Sequence, residues 1–159
     1  MTIKYVCSKC KKFYDTKEPI FKCKCGGMLD LEYFPIKLSN ENIIKDNWSL
    51  FRYIKALPLD ESSSLWKDIS MGEGLTPIVP LDKDNPNILV KLDYLMPTLS
   101  FKDRGAAVLI SKAKEIGVRK VIQDSSGNAG TSVAAYANRA GIECDIYVPY
   151  NASQKKIAK

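Results

Sequence analysis

The strongest constraint on this chain is a regular alternation of strand-like and helix-like segments from residue 88 to residue 148. Ile88-Leu89-Val90-Lys91-Leu92 follows the breaker Asn85-Pro86-Asn87 and reads as a short strand. A helix is expected over 100–116, with Phe101, Gly105, Val108, Leu109, Ala113 and Ile116 on one stripe. Ser100 with Asp103 three residues later forms a variant capping box, and Gly117 is placed to end the helix. Residues 120–124 read as a second strand, followed by the loop Ser125-Ser126-Gly127. A helix of small residues is expected over 128–140, closed by Gly141, and 142–148 as a third strand. Such alternation predicts an α/β fold with a parallel, three-layer sheet and right-handed crossovers. Residues 153–159 read as the start of a further helix.

Upstream of this region the composition changes twice. Residues 1–38 hold four of the five cysteines among Lys, Tyr and Phe, and read as a small module. Residues 39–84 form a loop-rich connecting region, and 85–159 the α/β region. No apolar run reaches the roughly 20 residues that span a bilayer, and Met1-Thr2-Ile3-Lys4 opens no signal peptide. A cytoplasmic protein without a membrane partner is the expectation.

The chain contains no histidine. Ser-His-Asp triads, Cys-His pairs and His-ligated metals are therefore excluded within these residues. Acid–base work falls to lysine, carboxylates, tyrosine or a cofactor. The net charge of +6 is concentrated in lysines near the two ends, among them Lys9, Lys11, Lys12, Lys155 and Lys156. It suits an anionic partner, or simply a solvated surface.

Cys7-Ser8-Lys9-Cys10 and Cys23-Lys24-Cys25 bring four thiols within reach of one tetrahedral ion. Four thiolates suit a structural Zn²⁺, which leaves no open position for catalysis. Gly26-Gly27 allows the chain to turn tightly beside them. The alternatives are reduced, metal-free thiols or a disulfide, the latter disfavoured in a reducing compartment. Cys144 lies in a strand pattern and reads as a small core residue.

Lys102 falls in the first turn of a helix whose following residues, Ala106 to Ile110, are apolar. The expectation is a buried helix start, where the positive helix end disfavours an ammonium and suits an amine nucleophile. A pair with Asp103, or a side chain reaching to water, fits the same pattern. Ser125-Ser126-Gly127-Asn128-Ala129-Gly130 lies between a strand and a helix, where free backbone N–H groups bind phosphate or carboxylate. A glycine-rich turn here also serves plain helix–sheet packing.

Gly72-Glu73-Gly74-Leu75-Thr76-Pro77, Pro97-Thr98-Leu99-Ser100-Phe101-Lys102-Asp103-Arg104-Gly105 and Ser125-Ser126-Gly127-Asn128-Ala129-Gly130 together resemble successive motifs of the threonine synthase family, a group of fold-type II pyridoxal phosphate enzymes. The Cys-rich start is similar to the zinc-ribbon-like N-terminus of many members. The resemblance implies that Lys102 carries pyridoxal 5′-phosphate and moves protons. It implies that Asn128 hydrogen-bonds the pyridoxal 3′-oxygen, and that Ser125, Ser126 and neighbouring amides grip a substrate carboxylate. The implied reaction converts O-phospho-L-homoserine and water into L-threonine and phosphate, so the expected partner is a small anionic amino acid. A homo-oligomer is one expected assembly. Leu99 stands where the family usually has glycine.

The family is longer than 159 residues, and its glycine-rich phosphate loop and the residue facing the pyridine nitrogen lie downstream. An N-terminal portion of the enzyme, weak in cofactor binding by itself, is therefore expected. Cysteate synthase and the serine/threonine dehydratases share the lysine and asparagine motifs and remain alternatives. An inactive remnant, or a zinc-ribbon binding module using Tyr5, Phe13, Tyr14 and Phe21, would belong to a different class. The binding-module reading leaves residues 39–159 unexplained, so nucleic acid is not the expected partner.

Overall fold

A computed structural model describes residues 3–33 and 36–153. The helix expected over 153–159 lies almost wholly outside the described residues.

The N-terminal segment forms an antiparallel sheet of three strands, β1 (Lys4–Cys7), β2 (Phe13–Asp15) and β3 (Leu29–Glu32), in the order β2-β1-β3. Tyr5 pairs with Tyr14 on one side and Leu31 on the other. So small a sheet cannot bury a core: Phe13, Leu31 and Met28 are all exposed. Its buried apolar residues lie instead at the cysteine end, where Cys7 and Cys23 are enclosed.

Residues 36–77 are mostly loop and short helix. A 3-10 helix over Leu50–Ala56 is capped by Ser49, whose hydroxyl accepts from the Phe51 N–H. With α1 (Leu65–Ile69) it delivers Phe51, Ile54, Trp66 and Ile69 to the core, and the Phe51 and Trp66 rings stack at 5.1 Å.

The core closes between α2 (Lys102–Glu115) and α3 (Asn128–Ala140), which contribute Ala106, Ala107, Ile110, Ala113, Val133, Tyr136, Ala137 and Ala140. Alanine predominates because small side chains let the two helices approach closely. Both helices end as expected, at Gly117 (φ 76°) and Gly141 (φ 64°), in the left-handed conformation that glycine adopts freely.

β6 (Lys120–Gln123) and β7 (Glu143–Ile146) pair in parallel, with α3 as the crossover between them. The other two strands, β4 (Ile78–Pro80) and β5 (Leu89–Lys91), pair antiparallel with each other. This corrects two expectations. The segment over 88–92 does not join the parallel sheet, because the turn built on Asp82 folds it back onto β4. The three-layer sheet is therefore, among the described residues, a two-strand parallel ladder whose other face leaves Ile122 65% exposed. The β4–β5 hairpin also joins residues assigned above to the connecting region with residues of the α/β region. No helix of the described residues is long and apolar enough to cross a membrane.

Candidate functional site

α2 and α3 run side by side in the same direction. Near their N-terminal ends the Ser132 hydroxyl donates to Asp103 at 2.6 Å, and at their C-terminal ends Lys114 Nζ donates to the Ala140 carbonyl at 2.8 Å. Lys102 is the first residue of α2 and Asn128 the first of α3. The two residues singled out by motif thus open two parallel, packed helices at one edge of the fold.

Lys102 is exposed, which corrects the expectation of a buried lysine. The reason lies in the face that α2 turns inward: Asp103, Ala106, Ala107, Ile110, Ser111 and Ala113 are buried, whereas Phe101, Gly105 and Leu109 are exposed. The stripe expected inside is largely the outer one, because close packing against α3 selects small residues. The Lys102 ammonium lies 4.6 Å from the centre of the Phe101 ring and makes no ion pair among the described residues. The alternative pair with Asp103 does not form, and the amine is accessible to a ligand.

The capping box is replaced by a different arrangement. Ser100 accepts from the Lys102 N–H at 3.2 Å, but the Asp103 carboxylate turns back to Thr98. It accepts from the Thr98 N–H at 2.7 Å and from the Thr98 hydroxyl. Leu99, inside this loop, has φ 60° and is 74% exposed. The position calls for glycine's conformational range, and a leucine there stores strain.

At the start of α3, Gly127 supplies no side-chain cap, so the first-turn N–H groups are left for a ligand. Ser125 and Ser126 are half-buried beside them, and the Ser125 hydroxyl accepts from the Gly127 N–H at 3.3 Å. Gly130 shapes the cradle: a Cβ there would lie 2.0 Å from the Ser125 carbonyl oxygen. Only glycine lets the serine loop lie this close over the helix. An exposed lysine amine at the opening of α2, with an uncapped, serine-lined helix start on the neighbouring α3, is a donor set that fits an anionic aldehyde cofactor and an amino-acid carboxylate.

The Gly72–Pro77 motif braces the same region. Glu73 is fully buried and accepts from the Ser70 hydroxyl, the Met71 N–H and the Tyr136 hydroxyl. Burial, with Glu73 beside it, pushes the Tyr136 phenol well above its ordinary range. Arg104 bridges to Asp93 at 3.0 Å, and its guanidinium with the Thr76 hydroxyl holds the Asp93 carboxyl below the usual carboxylate range. Ser132 and Tyr136 carry no motif of their own in the sequence, and the bracing roles of Asp103, Thr98 and Glu73 are not legible from the motifs that contain them. The available signal was the spacing of Ser132 and Tyr136, four residues apart on one face of α3.

The four cysteines converge, their sulfurs all within 4.8 Å of one another. The Cys7–Cys25 and Cys10–Cys23 pairs are each 3.5 Å apart, near the roughly 3.8 Å of sulfurs around one tetrahedral Zn²⁺. The Cys10 N–H points to Cys7 Sγ at 3.4 Å, and a Cβ on Gly27 would lie 2.6 Å from that sulfur. The Tyr14 hydroxyl, 3.0 Å from Cys23 Sγ, is the main reason that thiol falls to about 6. The donor set and spacing fit a thiophilic cation. Cys144 is partly buried against the core and its thiol is pushed up by that burial. A cleft of about 760 Å³ between the N-terminal sheet and residues 54–61 is lined by none of the motif residues.

A family model described as pyridoxal-phosphate dependent enzyme matches residues 69–159, which include Lys102, the serine loop and both helices. Threonine synthase of Methanocaldococcus jannaschii is 36% identical over 152 residues, covering 90% of this chain and 37% of that protein. Threonine synthase of Methanosarcina acetivorans is 34% identical over 151 residues, covering 90% of this chain and 36% of that protein. Threonine synthase of Halalkalibacterium halodurans is 39% identical over 104 residues, covering 63% and 28%. The chain spans little more than a third of the length of the first two of these relatives. The family match covers more than half of the chain and contains both helix openings, and on that ground the chain belongs to the pyridoxal-phosphate dependent enzymes.

Proposed function

We propose that this chain forms the lysine-bearing part of a threonine synthase, an enzyme that takes O-phospho-L-homoserine and water to L-threonine and phosphate. The observation that carries the reading is the parallel placement of Lys102 and Asn128 at the openings of α2 and α3, in a chain whose relatives are named threonine synthases.

Lys102 would hold the cofactor through its ε-amine, and the same amine is the group able to move protons at the substrate carbons. When bound, pyridoxal phosphate supplies the electron sink for charge that develops on the substrate. Asn128 would help hold the cofactor ring by a side-chain hydrogen bond. Ser125, Ser126 and the first-turn N–H groups of α3 bind the substrate carboxylate, aided by the positive end of the helix. The phosphate and carboxylate of such a substrate suit a site that offers a lysine amine, two serine hydroxyls and the uncapped N–H groups of α3.

The Cys7, Cys10, Cys23 and Cys25 cluster is read as a structural zinc site in a ribbon-like module over residues 1–38, on the strength of its four convergent sulfurs. The connecting region over 39–84 and the α/β region over 85–159 complete the proposed organisation. The cytoplasm, where such thiols stay reduced, is the proposed location.

The test is turnover by the full-length protein that contains this chain, supplied with pyridoxal phosphate, on phosphohomoserine and separately on phosphoserine with sulfite. Threonine and phosphate from the first substrate, lost in Lys102→Ala, support the reading. Turnover of the second pair alone assigns cysteate synthesis and defeats it.

A further inference from the structure

We propose that Asp103 is the positioning residue for Lys102, clamping the lysine loop onto α3 so that the lysine amine and the α3 helix opening keep one fixed relation; this rests on reading Lys102 as the cofactor lysine. Asp103 is fully buried. Its carboxylate accepts from the Thr98 N–H at 2.7 Å, from the Thr98 hydroxyl, and from the Ser132 hydroxyl at 2.6 Å. The two hydroxyl oxygens are themselves 2.9 Å apart.

The contact with the Thr98 N–H closes a ring around Leu99, Ser100, Phe101 and Lys102. Within it, the Lys102 N–H donates to Ser100, which is 4% exposed. The ring stands on α3, because Ser132 lies one turn beyond Asn128. Lys102 itself is exposed, and Leu99 is held at φ 60°. A loop with an exposed functional side chain and a strained leucine relaxes unless its surroundings over-determine it.

Among the described residues no lysine or arginine pairs with Asp103. A carboxylate buried without a counter-ion contributes little net stability even when hydrogen bonds compensate it. Its three donors and its place in the first turn of α2 offset the desolvation. What the arrangement supplies is geometry. Asparagine at 103 can accept from the Thr98 N–H through its oxygen and donate to both hydroxyls, so it preserves the ring without the charge.

The experiment treats the unaltered protein, Asp103→Ala, Asp103→Asn and Ser132→Ala with pyridoxal phosphate, reduces with borohydride, and maps labelled lysines by peptide mass. Melting temperature is measured in parallel. The unaltered protein is expected to label at Lys102 ahead of the surface residue Lys120. Asp103→Ala slows Lys102 labelling about tenfold without affecting Lys120, and Asp103→Asn restores it to within about threefold. Ser132→Ala slows it by a smaller factor, and carries the comparison with Asp103→Asn should Asp103→Ala fail to fold. Selective labelling of Lys102 that survives both Asp103→Ala and Ser132→Ala, or survives Ser132→Ala where Asp103→Ala does not fold, overturns the proposal and spares the reading of Lys102. Absence of selective labelling in the unaltered protein overturns that reading, and the clamp with it.

Discussion

The Tyr136 hydroxyl donates a 2.8 Å hydrogen bond to Glu73, and both residues are fully enclosed. This bond joins the middle of α3 to the Gly72–Pro77 motif. Tyr136→Phe would leave a buried carboxylate with one donor fewer, at a cost of about 1–3 kcal/mol. Urea unfolding should show a lower midpoint with an unchanged slope.

The same pair sets an alkaline limit. The Tyr136 phenol is raised in the folded state, first by burial and then by Glu73. Its contribution is complete below the unfolded tyrosine value of about 10 and is lost as pH rises beyond it, because only the unfolded chain ionises there. The expected slope is about 1.4 kcal/mol per pH unit, absent in Tyr136→Phe. Melting temperatures of both proteins across this range would check it.

Two glycines in helices should respond oppositely to alanine. A Cβ on Gly130 would strike the Ser125 carbonyl at 2.0 Å, whereas one on Gly105 meets nothing within 4 Å. Gly130→Ala should destabilise by about 1–3 kcal/mol or more, since backbone has to move. Gly105→Ala should stabilise by about 0.5–1 kcal/mol through helix propensity. Denaturant midpoints of the two variants decide this directly.

Leu99 gives a third contrast. At φ 60° a leucine costs about 1–2 kcal/mol, and glycine returns part of that as chain entropy. Leu99→Gly is expected to stabilise by up to about 1 kcal/mol, while Leu99→Ala keeps the strain. A thermal melt in which Leu99→Gly falls below the unaltered protein would contradict this.

For the cysteine cluster, the expected metal content is about one zinc per chain by elemental analysis. Gly27→Ala places a Cβ 2.6 Å from Cys7 Sγ and should lower zinc affinity at least about tenfold. Competition against a chromophoric chelator measures the loss.

Legibility in the sequence followed the reach of the interactions. α3 ran over the residues expected and Gly141 ended it, because helix propensity and a left-handed glycine are local properties. The inner face of α2 differs from the stripe that its largest apolar side chains mark out. Packing against another alanine-rich helix rewards small residues, and Phe101 and Leu109 were left outside. β5 was expected in the parallel sheet because its own residues say nothing about its partner, and the Asp82 turn pairs it with β4. Lys102 and Asn128 were visible as motif residues. The supports beneath them, Asp103 on Ser132 and Glu73 on Tyr136, span 29 and 63 residues, and only the four-residue spacing of Ser132 and Tyr136 on α3 marks them in the sequence.

The shared direction of α2 and α3 has a consequence for approach as well as for binding. Each helix opening carries about half an elementary positive charge. Because the two openings lie together, their fields add over the lysine and the serine loop instead of cancelling. A doubly anionic molecule would be drawn toward this edge before touching any side chain, with an encounter rate that falls as added salt shortens the reach of that field.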